Sequence, residues 1–220
     1  MSDKLIITLA LVGGTGKIGP GLAMRWAQAG YRVIIGSRKA EKAQRIADEL
    51  NEELGIESIK GMVNSDALAN ADIAVLTVKQ DAHDATVKSL KDVLKGKIVV
   101  DTTSRVDFRD PRPPEPPSAA RNAQDEIGPE AKVVAAFQTV PAHRLKEDIE
   151  QPLDLDVLVC ADDVDAAEEV IKLVEGAGLN GYYAGDLDNA VVVEGLTAIL
   201  IAMNQHYDTK KASIRITDVK

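Results

Sequence analysis

The sequence predicts a doubly wound α/β fold, a mostly parallel sheet with helices on both faces. Three observations predict it. Short β-rich runs alternate with helical stretches along the chain. Most of those runs are apolar without alternation, as strands buried on both faces are. The first of them runs through a glycine turn straight into an amphipathic helix.

The elements follow in order. The first strand is expected over Leu5–Val12, followed by the turn Gly13-Gly14-Thr15-Gly16-Lys17-Ile18-Gly19. In the helix Lys17–Ala29, Ile18, Leu22 and Trp26 recur every four residues, and Gly30 stops it. Arg32–Gly36 reads as the next strand. Lys39–Leu54 carries Ala43, Ile46, Ala47 and Leu50 on one side and charge on the other, and ends at Gly55. A weaker strand is read at Ser58–Met62, then strand Ile73–Val78, helix Asp84–Leu94 and strand Lys97–Asp101. Residues 102–117 have no periodic pattern, and five of the nine prolines fall at Pro111, Pro113, Pro114, Pro116 and Pro117. Proline fixes φ, so this is a stiff loop, either a binding loop after a central strand or a surface insertion. Strands Lys132–Phe137 and Asp156–Cys160, helix Val164–Glu175 and a short strand Tyr182–Ala184 follow. Ala190–Ile201 is apolar almost all round, as in a helix buried against the sheet or in a subunit interface. This divides the chain into a nucleotide-binding unit over 1–186 and a C-terminal helical segment and tail over 187–220.

Composition narrows the function classes. The chain has 220 residues, with 26 Lys+Arg against 35 Asp+Glu and a net charge of −9. That balance, without a basic cluster, argues against general nucleic-acid binding and against an anionic membrane surface. No stretch reaches the roughly 20 continuous apolar residues of a membrane span. The apolar run after Met1-Ser2-Asp3-Lys4 ends in a glycine turn instead of a cleavage site, so it is read as a strand and the expected location is the cytoplasm. Cys160 stands alone, which excludes a disulfide framework and a Cys-based zinc site. His83, His143 and His206 have no metal-ligand spacing, and no metal is expected.

Within the turn, Gly14, Gly16 and Gly19 fit the dinucleotide fingerprint. Gly14 is expected to permit the tight turn, Gly16 to admit a pyrophosphate, and Gly19 to let helix and strand close. The helix N-terminus that follows, past Thr15, Lys17 and Ile18, offers unpaired N–H groups to the phosphates. The end of the second strand selects the dinucleotide. An NAD site places Asp or Glu there, whereas this chain reads Gly36-Ser37-Arg38-Lys39, with Lys42 a turn further on. Ser37 can donate to a 2′-phosphate, Arg38 can pair with it through a planar fork, and Lys42 adds a point charge. NADP is the expected cofactor.

In an open parallel sheet, ligands bind beyond the carboxyl ends of the strands. Those ends are Val78-Lys79-Gln80, Asp101-Thr102-Thr103-Ser104 and Gln138-Thr139-Val140-Pro141-Ala142. These segments are expected to ring the nicotinamide, with Val78 and Lys79 as candidate cofactor contacts and Thr102, Thr103, Gln138, Thr139, Val140 and Pro141 as candidate substrate contacts. Asp101 is the one carboxylate among them, either a proton donor or acceptor or the cap of the next turn. His143 follows the last segment and reads either as a surface residue or as one that approaches a ligand.

The chain resembles the NADPH-dependent reductases of the deazaflavin coenzyme F420. The resemblance rests on the glycine turn, Gly36-Ser37-Arg38 with Lys42, Ala71–Thr77, Gly96–Val100, Val133–Ala142, Asp156–Asp163 and Val193–Thr197 in that order. It implies a Rossmann-like subunit, a homodimer, and direct hydride transfer between NADP(H) and coenzyme F420. It places NADP on Thr15–Ile18, Ser37, Arg38 and Lys42 with Ala142 near the nicotinamide, and the deazaflavin at the loops after Asp101 and Phe137. The chain departs from the family where Lys79-Gln80 replaces a Pro-Trp pair. It departs again where Asp101–Arg105 and the Pro111–Pro117 loop replace a Pro-rich hydrophobic segment. Both departures touch the second substrate. A related NADPH reductase of another acceptor (a flavin, quinone, metal chelate, carbonyl or imine) and a non-catalytic NADP sensor are therefore the competing readings.

Overall fold

A computed structural model describes residues 6–219. Leu5, the first residue of the expected N-terminal strand, lies outside the described residues, as do Met1–Lys4. Eight strands form one sheet: β1 (Thr8–Val12), β2 (Arg32–Ser37), β3 (Ile59–Val63), β4 (Ile73–Leu76), β5 (Ile98–Asp101), β6 (Lys132–Ala135), β7 (Asp156–Ala161) and β8 (Asn180–Tyr183). Their order is β3-β2-β1-β4-β5-β6-β7-β8. Every pairing is parallel except β6 with β7. The carboxyl ends of β1 to β6 therefore share one edge, and β7 and β8 point the other way. The order reverses between β1 and β4, the switch point where a dinucleotide crosses such a sheet.

The helices are α1 (Gly19–Gln28), α2 (Ala40–Leu54), α3 (Asn64–Ala69), α4 (His83–Leu94), α5 (Ala119–Ile127), α6 (Val164–Gly176) and α7 (Ala190–His206). Alternate residues of the strands feed two cores. Leu9, Leu11, Val33 and Ile35 pack with Leu22 and Trp26 of α1, Ala43 and Ala47 of α2, and Val170 and Leu173 of α6. Ala10, Val12, Ile34 and Leu76 pack on the other face with Leu68 of α3, Val87 and Leu90 of α4, Ala123 and Ile127 of α5, and Val193 of α7. Both faces of the strands are covered, which is why their sequences do not alternate.

Two helices go beyond the sequence reading. Six-residue α3 is too short to show a period. The buried face of α5 is built mainly from Ala119, Ala120 and Ala123, which read as weakly apolar beside their polar neighbours. The helix expected over Ala190–Ile201, buried against the sheet or in a subunit interface, packs on the subunit by one face only. One face of α7 is buried, through Ala190, Val193, Glu194, Thr197 and Ala198, while Val192, Ile199 and Met203 stand on the exposed face. The run Leu187–His206 is long and apolar enough by composition to cross a membrane. Here its inner face packs into the core, with Glu194 fully buried in the second turn of α7.

Candidate active site

The glycine turn divides its work differently from the expected scheme. Gly13 carries the left-handed backbone, with φ +69°, and a Cβ there would meet Val78 Cγ1 at 2.6 Å. The tight-turn role assigned to Gly14 therefore belongs to Gly13. Gly14 is a point of close approach, where a Cβ would sit 2.8 Å from the Leu11 carbonyl and 2.9 Å from Leu11 Cβ. Its N–H lies 3.0 Å from Leu11 O and 2.9 Å from Gly36 O. Gly19 closes α1 onto the turn, since a Cβ there would lie 2.3 Å from Gly14 O. Gly16 differs from all three. It is exposed, and the nearest protein atoms to its would-be Cβ are Gly13 O at 3.4 Å and Thr77 O at 3.5 Å. The protein's own packing leaves space at Gly16, as a site for a pyrophosphate requires.

The first turn of α1 fits an anion. It has no side-chain cap at Ile18, no acidic residue, and Pro20 among its first positions. Its leading N–H groups are thus left for a phosphate, with Thr15 half-buried and Lys17 exposed beside them.

At the end of β2, Ser37 is buried and its Oγ accepts a hydrogen bond from the Lys39 N–H at 3.3 Å, leaving the hydroxyl proton free to donate. Arg38, Lys39 and Lys42 are exposed around the start of α2, which also lacks a side-chain cap. Among the described residues, the ion pairs engage none of Lys17, Arg38, Lys39 and Lys42. Cations at a helix N-terminus oppose its dipole, so this group makes electrostatic sense around a bound 2′-phosphate. Asn64, which the sequence reading passed over, braces the turn from α3. Its Oδ1 accepts from the Gly13 N–H at 3.2 Å.

The other end of the site lies over β4, β5 and β6. Thr77 ties β4 to β1, its N–H and hydroxyl both reaching Val12 O at 2.9 Å. Val78 is half-buried against the glycine turn, and Lys79 is exposed. Thr102 donates through Oγ1 to Leu76 O at 2.9 Å. Asp101, the candidate acid–base residue, is fully buried with both oxygens engaged: Oδ1 accepts from the Thr103 N–H at 2.9 Å and Oδ2 lies 2.6 Å from His83 Nε2. This matches the turn-capping alternative, with each oxygen held by one partner within the fold. Burial by itself would lower the pKa of His83, but the Asp101 carboxylate, helped by Asp84, raises it to about 9.

The segment after β6 is held from several sides. Phe137 takes a left-handed φ of 73°, unusual for a bulky residue, and its ring meets Trp26 edge-on at 5.8 Å. Gln138 donates through Nε2 to Asp101 O at 2.8 Å, and its own carbonyl accepts from Thr197 at 3.0 Å. Thr139 and Val140 are buried, and Pro141 and Ala142 are half-buried. The segment then packs on α1, where Gly21 leaves room for Leu145. Buried Arg25 of α1 donates to the carbonyls of Leu145, Glu147, Gln151 and Ala177. Ala142 is thereby held beside the helix that begins the phosphate cradle. His143 is exposed.

The proline-rich stretch is irregular but anchored. Glu194 is buried in α7, where its Oε2 accepts from the Arg105 N–H at 3.1 Å and its Oε1 from the Ala119 N–H at 2.7 Å. One carboxylate thus grips both ends of the loop. Burial raises its pKa, against the lowering effect of those donors. Among the described residues, no group of three or more His, Cys, Asp or Glu is arranged to hold a metal ion.

Comparison with known proteins decides the family. The sequence model described as NADP oxidoreductase, coenzyme F420-dependent, matches residues 8–105. The F420-dependent NADP reductase of Methanothermobacter thermautotrophicus is 37% identical, over 100% of this chain and 98% of that protein. The chain belongs to the F420-dependent NADP reductase family. The reductase of the same description from Methanocaldococcus jannaschii is 39% identical, over 96% of this chain and 99% of its own. A crystal structure from Arthrobacter sp. FB24, provisionally assigned as an F420-dependent NADP reductase, superposes with a TM-score of 0.81 at 26% identity and covers 96% of this chain and 99% of its own. The family model ends at residue 105, whereas the alignments with the two reductases run over nearly the whole chain.

Proposed function

We propose that this chain transfers hydride directly between NADPH and coenzyme F420. The observation that carries the reading is 37–39% identity over nearly the whole length of two F420-dependent NADP reductases, which includes the acceptor end as well as the common nucleotide end. The cradle at Gly14–Gly19 receives the pyrophosphate. Ser37, Arg38 and Lys42 receive the 2′-phosphate. Val78, Lys79 and Ala142 flank the nicotinamide, and Thr102, Thr103 and Gln138–Pro141 face the deazaflavin.

When bound, NADP(H) would supply the redox chemistry, exchanging hydride with the deazaflavin ring. The protein's part is alignment, with the reacting carbons brought to about 3–3.5 Å, and exclusion of water. No side chain is asked to move a proton, which agrees with the commitment of both Asp101 oxygens within the fold.

A second reading, an NADPH reductase of another planar acceptor, is favoured by one observation: the polar run Thr102-Thr103-Ser104 at the acceptor end. Isotope transfer separates the two. With NADPH deuterated at the transferring position, deuterium is expected in the reduced deazaflavin. Its failure to appear there sinks the first reading.

We read the protein as a cytoplasmic homodimer. The exposed apolar face of α7, with Val192 63% and Ile199 52% exposed, supports a subunit interface there. After β8 come a helical turn at Leu187–Asn189, α7 and the tail, which supports a division into 1–186 and 187–220.

A further inference from the structure

Three polar atoms at the carboxyl ends of β5 and β6 are shut off from water without a hydrogen-bond partner: Thr103 Oγ1, Ser104 Oγ and Gln138 Oε1. Native proteins rarely leave such atoms unpaired, because each loses its water without replacement. A fourth such atom, Arg144 Nε, has Glu147 Oε2 at 2.8 Å as an ion-pair partner and needs no ligand. The remaining three sit in the segments that follow the paired strands β5 and β6, at the edge where this fold binds its substrates.

Their surroundings determine what each can offer. The Gln138 amide nitrogen is spent on Asp101 O, so Oε1 faces away from that bond as an obligate acceptor. The Thr103 N–H is spent on Asp101 Oδ1, and its hydroxyl proton remains available. The Ser104 hydroxyl is equally uncommitted. Gln138 is also held rigidly, following left-handed Phe137 and pinned through its carbonyl by Thr197. Strain of this kind persists where the surroundings over-determine a geometry.

We propose that Gln138, Thr103 and Ser104 form a specificity subsite for the cyclic imide edge of the hydride acceptor. That edge is one N–H between two carbonyls, the terminus of a flavin or deazaflavin ring. Gln138 Oε1 accepts from the imide N–H, and the Thr103 and Ser104 hydroxyls donate to the carbonyls beside it. One acceptor and two donors complement one donor and two acceptors. The three atoms are covered in the structure, so the entering ring uncovers them as it binds. The assignment rests on the deazaflavin reading above.

The test is equilibrium binding by isothermal titration, using the deazaflavin chromophore and its imide N-methyl derivative, each with the full-length protein. Wild type is expected to bind the parent at least ~10-fold tighter than the methylated ring, because methylation removes the donor and leaves Gln138 unpaired. Gln138→Met is expected to bind both alike, near the weaker value, with NADPH affinity retained as evidence of folding. Thr103→Val, which keeps the side-chain shape, should weaken both rings by roughly 5-fold and keep the preference for the parent. Equal binding of the two rings to wild type overturns the subsite while leaving the deazaflavin reading intact. So does a Gln138→Met variant that weakens both in parallel. Absence of parent binding to a wild type that binds NADPH overturns the deazaflavin reading and the subsite with it.

Discussion

His83 Nε2 lies 2.6 Å from Asp101 Oδ2, and neither side chain reaches solvent. The contact joins the first turn of α4 to the last residue of β5, directly before Thr102–Ser104. It makes Asp101 a builder of the loop and ties the geometry of the acceptor end to the charge on one imidazole.

This contact predicts a pH-dependent stability. The pKa of folded His83 is raised from 6.5 to about 9, so its contribution is fully present below the unfolded value and is lost as pH rises through about 9. His83→Gln should cost ~3–5 kcal/mol near pH 6, because it leaves a buried carboxylate unpaired. The difference in melting temperature between wild type and variant should shrink steadily between pH 6.5 and 10. A difference that stays constant across that range would show that His83 is held neutral.

The glycines of the turn should separate into two kinds. Gly19→Ala is expected to destabilise the fold by about 1–3 kcal/mol, since its Cβ is driven into Gly14 O. Gly16→Val should fold normally and lose NADPH, since the space it fills is kept for the ligand. Circular dichroism for folding and titration for binding check both. Undiminished NADPH affinity in Gly16→Val would remove the pyrophosphate site.

Cofactor choice should follow the cations at the start of α2. NADPH is expected to bind at least ~10-fold tighter than NADH, from one or two charge-assisted contacts. The double variant Ser37→Ala, Arg38→Ala should erase most of that preference and spare NADH. A wild type that prefers NADH contradicts the assignment.

Glu194→Gln should loosen the proline-rich loop. Glutamine has one acceptor oxygen in place of two, and its amide nitrogen would face a backbone donor at Arg105 or Ala119. A loss of about 2 kcal/mol is expected, with limited proteolysis appearing first between residues 105 and 119. Cleavage beginning elsewhere would show that the loop does not depend on this carboxylate.

The exposed face of α7 yields a prediction on assembly. Ile199→Asp with Met203→Asp should turn a dimer into a folded monomer in sedimentation at micromolar concentration, because both residues are exposed on the subunit and charge is costly in an apolar interface. A wild type that sediments as a compact monomer ends the dimer reading.

The sequence by itself determined the features that depend on neighbouring residues. The apolar runs are strands because both of their faces are covered. Gly13–Gly19 is a strand-to-helix turn because closely spaced glycines permit its backbone. The cations after β2 are legible because Ser37, Arg38 and Lys42 are close in the chain. Only the tertiary structure decided the rest, where the partners lie far apart in sequence. Asp101 meets His83 across α4, Glu194 reaches Arg105 across 89 positions, and Asn64 braces Gly13 from a helix too short to announce itself. Gln138 has its orientation from a carbonyl on the neighbouring strand, and α7 shows one apolar face to the core and another to solvent. Local pattern reports what the backbone does over a few residues. Which buried polar groups meet depends on strand order and register, and those are set by the packing of the whole chain.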